Sequence, residues 1–245
     1  MIKRLKIILS VLVIQSLVVS FSYSEEKEVK DCFEKINRAT FAFNMALDKV
    51  LFRPVAAGYR KLPSPVRSGT SNALNNLSNL VTIPNNILQG DFRSAGNNTI
   101  RLIINTTIGI VGIFDPANAL GFEKLEKEDF GQTLAVHGVG PGPYLMLPFL
   151  GPSTLRDALG KITSLYADPV TLALERNDKD QWIWIGMAVK GVDFREQNLE
   201  KIDNLNATSV DFYATLRSLY LERRSSMIRN QNVNDTDPFQ EFDVE

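Results

Sequence analysis

"GVGPGPYLMLPFLGP" (residues 138–152) sets four glycines and four prolines among Val, Tyr, Leu, Met and Phe, and carries no charged side chain. Proline fixes φ and removes a backbone donor, while glycine opens the left-handed region, so this density of both forbids a continuous helix. The stretch reads as a rigid, irregular, apolar segment, and residues 143–149 are the one strand candidate in the chain. A phosphate-cradling loop is excluded, because Pro141 and Pro143 lack the N–H groups that would face the anion.

Outward from this segment the pattern is helical. Phe33, Ile36, Thr40, Phe43, Leu47 and Val50 recur at three- and four-residue steps, which predicts an amphipathic helix over 33–51 that ends at Arg53-Pro54. Ser64-Pro65 is an N-cap followed by proline at the first helical position, opening a helix over 64–80. "TIPNNILQGDF" (82–92) predicts a separate short helix, and 92–110 a longer one. "KLEKEDF" (124–130) reads as a polar surface segment. Residues 153–168 predict a helix capped by Ser153. "DKDQWIWIGMAVKGVDFREQNLEKIDNL" (178–205) reads as one long helix, and Val210 to about Ile228 as the last. The expected fold class is all-α, a mostly helical single domain with at most a short extended segment.

Where charge is missing is more telling than where it is present. Residues 68–90, 102–114 and 131–155 contain no Asp, Glu, Lys or Arg. A helix at a water-facing surface carries charge on its outer side. Each block is interrupted by Pro, Gly or Asn, so none is a membrane-spanning helix. Two readings remain: enclosure within the protein, or contact with lipid.

The N-terminus has the form of a secretory signal peptide. Lys3, Arg4 and Lys6 precede an apolar stretch from Ile7 to Phe21, and Ser22-Tyr23-Ser24 offers small residues for cleavage. Residues 1–24 are read as the leader, with retention as an anchor the alternative, residues 25–230 as the domain, and 231–245 as a disordered acidic tail. Export makes the single cysteine, Cys32, informative. It excludes an internal disulfide, and it lies behind a charged run rather than directly after the apolar stretch, which is not the setting of a lipidation site.

The whole chain has a formal net charge of −1. Its first part is cationic: residues 32–114 hold nine Lys and Arg against three acids, whereas residues 115–245 are acidic. This asymmetry suits an anionic partner such as lipid head groups, and no nucleic acid is expected. Alternatively the charges merely solvate helix faces.

Catalytic chemistry is thin. "GKIT" at Gly160 lacks the hydroxyl residue directly after lysine that a nucleotide-binding loop requires, and there is no G-x-S-x-G turn. His137 is the only histidine. An exported lipid hydrolase would have to use it, with Ser153 and Asp157 as imaginable partners. Histidine- or cysteine-based metal sites fail for want of ligands, and no cofactor is expected. A structural scaffold of the cell envelope is the other alternative.

Several stretches together resemble the VacJ/MlaA family: "FEKINRATFAFNMALDKVLFRPVAAGYRKLPSPVRSGTSNALNNL", "VTIPNNILQGDF", "LIINTTIGIVGIFDPA", "EDFGQTLAVHGVGPGPYLMLPFLGPSTLRDALG" and "YLERRSSMI". The resemblance runs in order over roughly residues 33–230. It implies a helical, ring-like protein at the periplasmic face of the outer membrane, lying in its inner leaflet beside a porin trimer. It also implies removal of mislocalised phospholipid from the outer leaflet, delivery to a periplasmic lipid carrier of the MlaC type, and so maintenance of lipid asymmetry. The chain departs from the family in lacking a lipobox cysteine, and Cys32 stands where the family commonly shows proline. The body itself would then hold the bilayer. Burying about 500 Å² of apolar surface at roughly 25 cal/mol per Å² is worth up to about 12 kcal/mol, ample without an acyl chain.

A lipid head group crossing hydrocarbon needs a hydrated lane. The expected wall of that lane is Gly138, Gly140, Gly142, Tyr144, Leu145, Met146 and Leu147, with Arg156 and Asp157 as its polar rim. A proline-stiffened core loop is the alternative. On the first helix, Phe41 and Asn44 are the further channel candidates, Asn44 either gating the lane or bonding a packing contact.

Overall fold

The computed structural model describes residues 29–229; the leader, residues 25–28, Asn230 and the acidic tail lie outside the described residues. Among the described residues, eleven α-helices and one hairpin follow in chain order: α1 (Glu34–Leu47), a π-helical segment (Asp48–Phe52), α2 (Arg53–Tyr59), α3 (Ser64–Leu88), α4 (Phe92–Thr107), α5 (Pro116–Ala119) and α6 (Phe130–Val136). Strands β1 (Tyr144–Leu147) and β2 (Gly151–Thr154) lead into α7 (Leu155–Ala167), α8 (Pro169–Arg176), α9 (Gln181–Gln197), α10 (Leu199–Thr208) and α11 (Phe212–Ile228). The all-α expectation holds.

Two prolines expected to mark helix boundaries, Pro54 an end and Pro84 a start, do neither. Pro54 follows the π-helical segment, in which Arg53 N–H bonds the carbonyl of Asp48 five residues back, so the widened turn absorbs the missing donor. Pro84 lies inside α3, and the predicted helices 64–80 and 82–92 are one helix as far as Leu88. Asn85 Nδ2 reaches back to the carbonyl of Val81 at 2.8 Å, strengthening the ladder beside the proline. In the opposite direction, the single helix expected over 178–205 breaks at Asn198, and the cap of α7 is Thr154 rather than Ser153.

The hairpin formed by α3 and α4 is inverted in polarity. Asn76, Asn79, Thr82, Asn85 and Asn86 of α3 and Asn98, Arg101 and Asn105 of α4 are buried. Buried amides and guanidiniums are tolerated only when hydrogen-bonded. Asn98 donates to Asn86 at 3.0 Å and Asn76 to Thr106 at 2.9 Å, while Asn105 and Arg101 both donate to Asp115. Lys127 donates to the carbonyl of Asn75 and to Asn79 Oδ1 at 2.6 Å, and Glu128 is buried where it accepts from Gln89. The segment 124–130 is thus only in part the polar surface stretch that its composition suggests: Lys124 and Glu126 are exposed, while Lys127 and Glu128 are bonded against α3. The opposite faces carry exposed Leu77, Ile87, Leu88, Phe92, Ile100 and Ile103, and the loop after α4 exposes Ile108, Ile110, Val111, Ile113 and Phe114. The first half of α9 is apolar and exposed on nearly all sides, with Trp182 54% and Trp184 69% exposed.

The apolar core is small and aromatic. Tyr144, Met146 and Tyr213 are buried together, with Phe41 packed edge-on to Tyr213 at 5.6 Å. The β-hairpin seals one side of this cluster, Tyr144 pairing with Thr154 and Leu147 with Gly151. The second edge of β1 is closed by side chains of α1. Asn37 Nδ2 donates to the carbonyl of Tyr144 at 3.1 Å, and Asn37 Oδ1 accepts from Met146 N–H at 2.8 Å. Two turns later Asn44 repeats the arrangement, donating to the carbonyl of Leu147 and accepting from Phe149 N–H, both at 2.9 Å. The two amides act as peptide surrogates and close that edge of β1.

A buried ion network joins α6, α7 and α11. Arg224 donates to Asp129 through two bonds of 2.7 Å and to Asp157 at 3.0 Å, and Arg156 and the Tyr220 hydroxyl add bonds to Asp157. The helices can approach this closely because Gly160 meets Gly131: a Cβ on Gly160 would lie 2.4 Å from Gly131 N.

Two outcomes are expected. Asn37→Leu strands a buried carbonyl and a buried N–H, and should cost about 3 kcal/mol in chemical denaturation, against about 1 kcal/mol for the half-buried Asn44→Leu. Burial opposes ionisation of Asp157, but Arg224, Arg156 and Tyr220 outweigh it and hold the carboxyl down at about 2. The unfolded carboxyl titrates near pH 3.9, so this stabilisation is intact above about pH 4 and lost as pH falls toward 2. Denaturation midpoints measured across that window should fall for the native chain, and Asp157→Asn should remove that part of the slope.

Candidate functional site

A cavity of about 630 Å³ opens between the end of α1, the π-helical segment, α2, α9 and α10. Phe41, Met45, Ala46 and Ile202 form its apolar wall, and Asp48, Lys49, Arg53, Arg195, Asp203 and Asn206 its polar one. The volume lies within the range of small-molecule sites, and the mixture of a greasy side and a charged side suits an amphiphile.

The charged wall is ordered by Arg195, which is buried at the C-terminal end of α9. It grips Asp48 with two bonds, 2.7 and 3.1 Å, and Asp203 with a third at 2.7 Å. Arg53 meets the other oxygen of Asp203 at 2.8–2.9 Å. Bidentate pairing of this kind fixes geometry as well as charge. Burial raises the Asp203 carboxyl, but Arg53 and Arg195 reverse this and hold it below the usual range. Two arginines thus neutralise two aspartates, and Lys49, exposed and in no ion pair among the described residues, leaves the wall with one surplus positive charge.

Of the channel candidates read from the sequence, Phe41 lines this cavity and the others do not. Asn44 holds the hairpin turn, as described. Gly138 and Gly142 sit at φ 86° and 67°, where only glycine is unstrained, and Gly140 is half-buried between them. The carbonyls of Pro141 and Pro143 accept from the first N–H groups of α7, at Arg156 and Leu155, both at 3.1 Å. The Gly-Pro run is therefore a clasp that satisfies the start of a helix. Tyr144 and Met146 point into the core, while Leu145 and Leu147 are half-buried on the other face of β1. Arg156 and Asp157 are not a solvent rim: they are 5% and 2% exposed, in the interior network. The exposed apolar residues of the segment are Phe149 and Leu150 in the hairpin turn, Phe149 packing edge-on to Phe43 at 5.5 Å.

The hydrolase alternative fails on geometry. Ser153 is fully buried with its hydroxyl on the carbonyl of Thr154, Asp157 is engaged by two arginines and a tyrosine, and His137 Nδ1 lies 2.8 Å from the carbonyl of Thr133. No hydrogen bond joins the three. Among the described residues, no group of three or more His, Cys, Asp or Glu side chains is arranged to hold a metal ion. None of the described helices is long and apolar enough to cross a membrane.

Comparison with known proteins fits this architecture. A family model described as "MlaA lipoprotein" matches residues 29–227. "Uncharacterized protein RP093" of Rickettsia prowazekii (strain Madrid E) is 35% identical over 203 residues, covering 82% of this chain and 79% of that protein. "Intermembrane phospholipid transport system lipoprotein MlaA" of Escherichia coli (strain K12) is 32% identical over 206 residues, covering 82% and 80%. A solved structure reported as "Structural basis for maintenance of bacterial outer membrane lipid asymmetry" superposes with a TM-score of 0.70 at 32% identity, over 81% of this chain and 99% of that one. With a family match across nearly all the described residues, the chain belongs to the MlaA family.

Proposed function

We propose that this chain is a passive phospholipid conduit of the outer membrane, seated in one leaflet without crossing it. It takes mislocalised glycerophospholipid from the outer leaflet and passes the lipid to a periplasmic carrier of the MlaC type, working beside a porin trimer and so preserving lipid asymmetry. The observation that carries this reading is the inverted polarity of α3 and α4: amides and a guanidinium inside, Ile, Leu and Phe outside. In water such an arrangement exposes a large apolar surface for no gain; against acyl chains it is the favourable one.

The amphipathic cavity supports the same reading, since it offers a head group charged partners while an apolar wall remains beside the tails. Phe43 and Phe149, with the half-buried Leu145 and Leu147, would continue that apolar wall at the hairpin. The names of the relatives point the same way, assigning intermembrane phospholipid transport to them. Those relatives are called lipoproteins, whereas in this chain the apolar surface takes over the anchoring.

Fractionation without detergent, followed by lipid extraction and mass spectrometry, tests the proposal. The mature chain should pellet with outer membrane and carry phospholipid, and Cys32→Ser should pellet equally. Ile103→Glu combined with Ile110→Glu should move folded protein into the aqueous fraction and abolish lipid transfer between vesicles. Recovery of the unaltered chain in the aqueous fraction, free of lipid, would instead identify a periplasmic scaffold.

A further inference from the structure

We infer that Lys49 and Arg53 form a phosphodiester-binding subsite that does not read the head-group alcohol, so that the cavity accepts ethanolamine and glycerol phospholipids alike. The inference rests on reading the cavity as part of the lipid path. Its basis is the unequal freedom of the charged groups on one wall.

Arg195 is committed: buried, bidentate to Asp48 and bonded to Asp203, it organises the wall and has no orientation left for a ligand. Arg53 is half exposed and has Asp203 as its sole carboxylate partner among the described residues, which Arg195 also holds. A phosphate can therefore replace Asp203 on Arg53 without leaving that carboxylate unpaired. Lys49, one turn earlier, lines the same cavity and has no carboxylate to displace. An ammonium and a guanidinium at i and i+4 offer a point charge and a planar fork, a combination suited to the two free oxygens of a phosphodiester.

The same accounting argues against recognition of the alcohol. With phosphate on Arg53 both carboxylates on the wall still bond Arg195, so an ethanolamine ammonium meets no unpaired carboxylate there. Beyond the ion-paired groups and Lys49, the polar wall offers a glycerol hydroxyl the Asn206 amide, which an ammonium can also use. The surplus charge rewards the group that all glycerophospholipids share.

The test is calorimetric titration of the mature chain with short-chain lipids below their micelle concentration. Dihexanoyl phosphatidylethanolamine and phosphatidylglycerol should bind within about threefold of each other, and dihexanoylglycerol, which lacks the phosphate, about tenfold more weakly or worse. Lys49→Gln should weaken both phospholipids by about five- to tenfold, Asp203→Asn should tighten both by releasing Arg53, and Lys61→Gln on the surface of the loop after α2 should change neither. Wild-type affinity in Lys49→Gln, or equal binding of dihexanoylglycerol, overturns the subsite. A difference above about tenfold between the two phospholipids overturns the indifference to the alcohol. Displacement of bound lipid by inorganic phosphate would assign the subsite to free phosphate and overturn the lipid assignment. Vesicle transfer measured on the same proteins separates this inference from the proposed function. Transfer that persists while the binding pattern fails refutes the subsite alone; the expected binding pattern without transfer refutes the conduit and leaves the subsite standing.

Discussion

The structure turns on the need to satisfy amide and guanidinium groups that face inward. An unpaired buried polar group costs about 1–3 kcal/mol, more if charged, so the many such groups in α3 and α4 can persist only as a connected set. Asp115 answers both Arg101 and Asn105, and Asn79 answers Lys127. That set pins the α3–α4 hairpin and the 115–128 segment to one another, and the isoleucines and leucines of the same helices are left facing outward. In a water-soluble protein the apolar face supplies the core and the polar face is free to vary. Here the polar face supplies the core, and the outer face needs only to be apolar.

The aromatic cluster under the β-hairpin is the complementary device. It is a conventional small core of Tyr144, Met146 and Tyr213, sealed by Asn37 and Asn44, and it belongs to the part of the chain where charge returns on α1 and α11. The two regions differ in what they oppose. One shares Phe41 with the wall of the cavity, and the other presents a surface that water solvates poorly. An amphipathic ligand has use for both.

Much of this was legible in the sequence. The charge-free blocks marked the inverted hairpin, and the Gly-Pro run marked a rigid non-helical segment with a short strand. A signal that the charge pattern alone passes over is the spacing of Asn98, Arg101 and Asn105 at i, i+3 and i+7, which puts three polar groups on one helix face between Ile100 and Ile103. What could not be read was long-range pairing. Asp48 and Arg53 meet Arg195 and Asp203 across about 150 positions of chain, and no local pattern announces that encounter. For the same reason Arg156 and Asp157 looked like a rim: adjacent opposite charges read as a solvated pair until Arg224 and Tyr220 arrive from α11. The prolines misled in a different way. Pro54 and Pro84 are breakers by propensity, and tertiary packing together with a widened turn overrode them.

The bare first half of α9 has an optical consequence. Trp182 and Trp184 are the two tryptophans of the chain, both stand out from the body, and both belong to a single helical turn. The ultraviolet emission excited through indole therefore originates from one spot. Its colour reports the polarity of whatever surrounds that turn, and energy passed on from tyrosines elsewhere is collected there. The protein carries its own dye, placed on an exposed apolar helix.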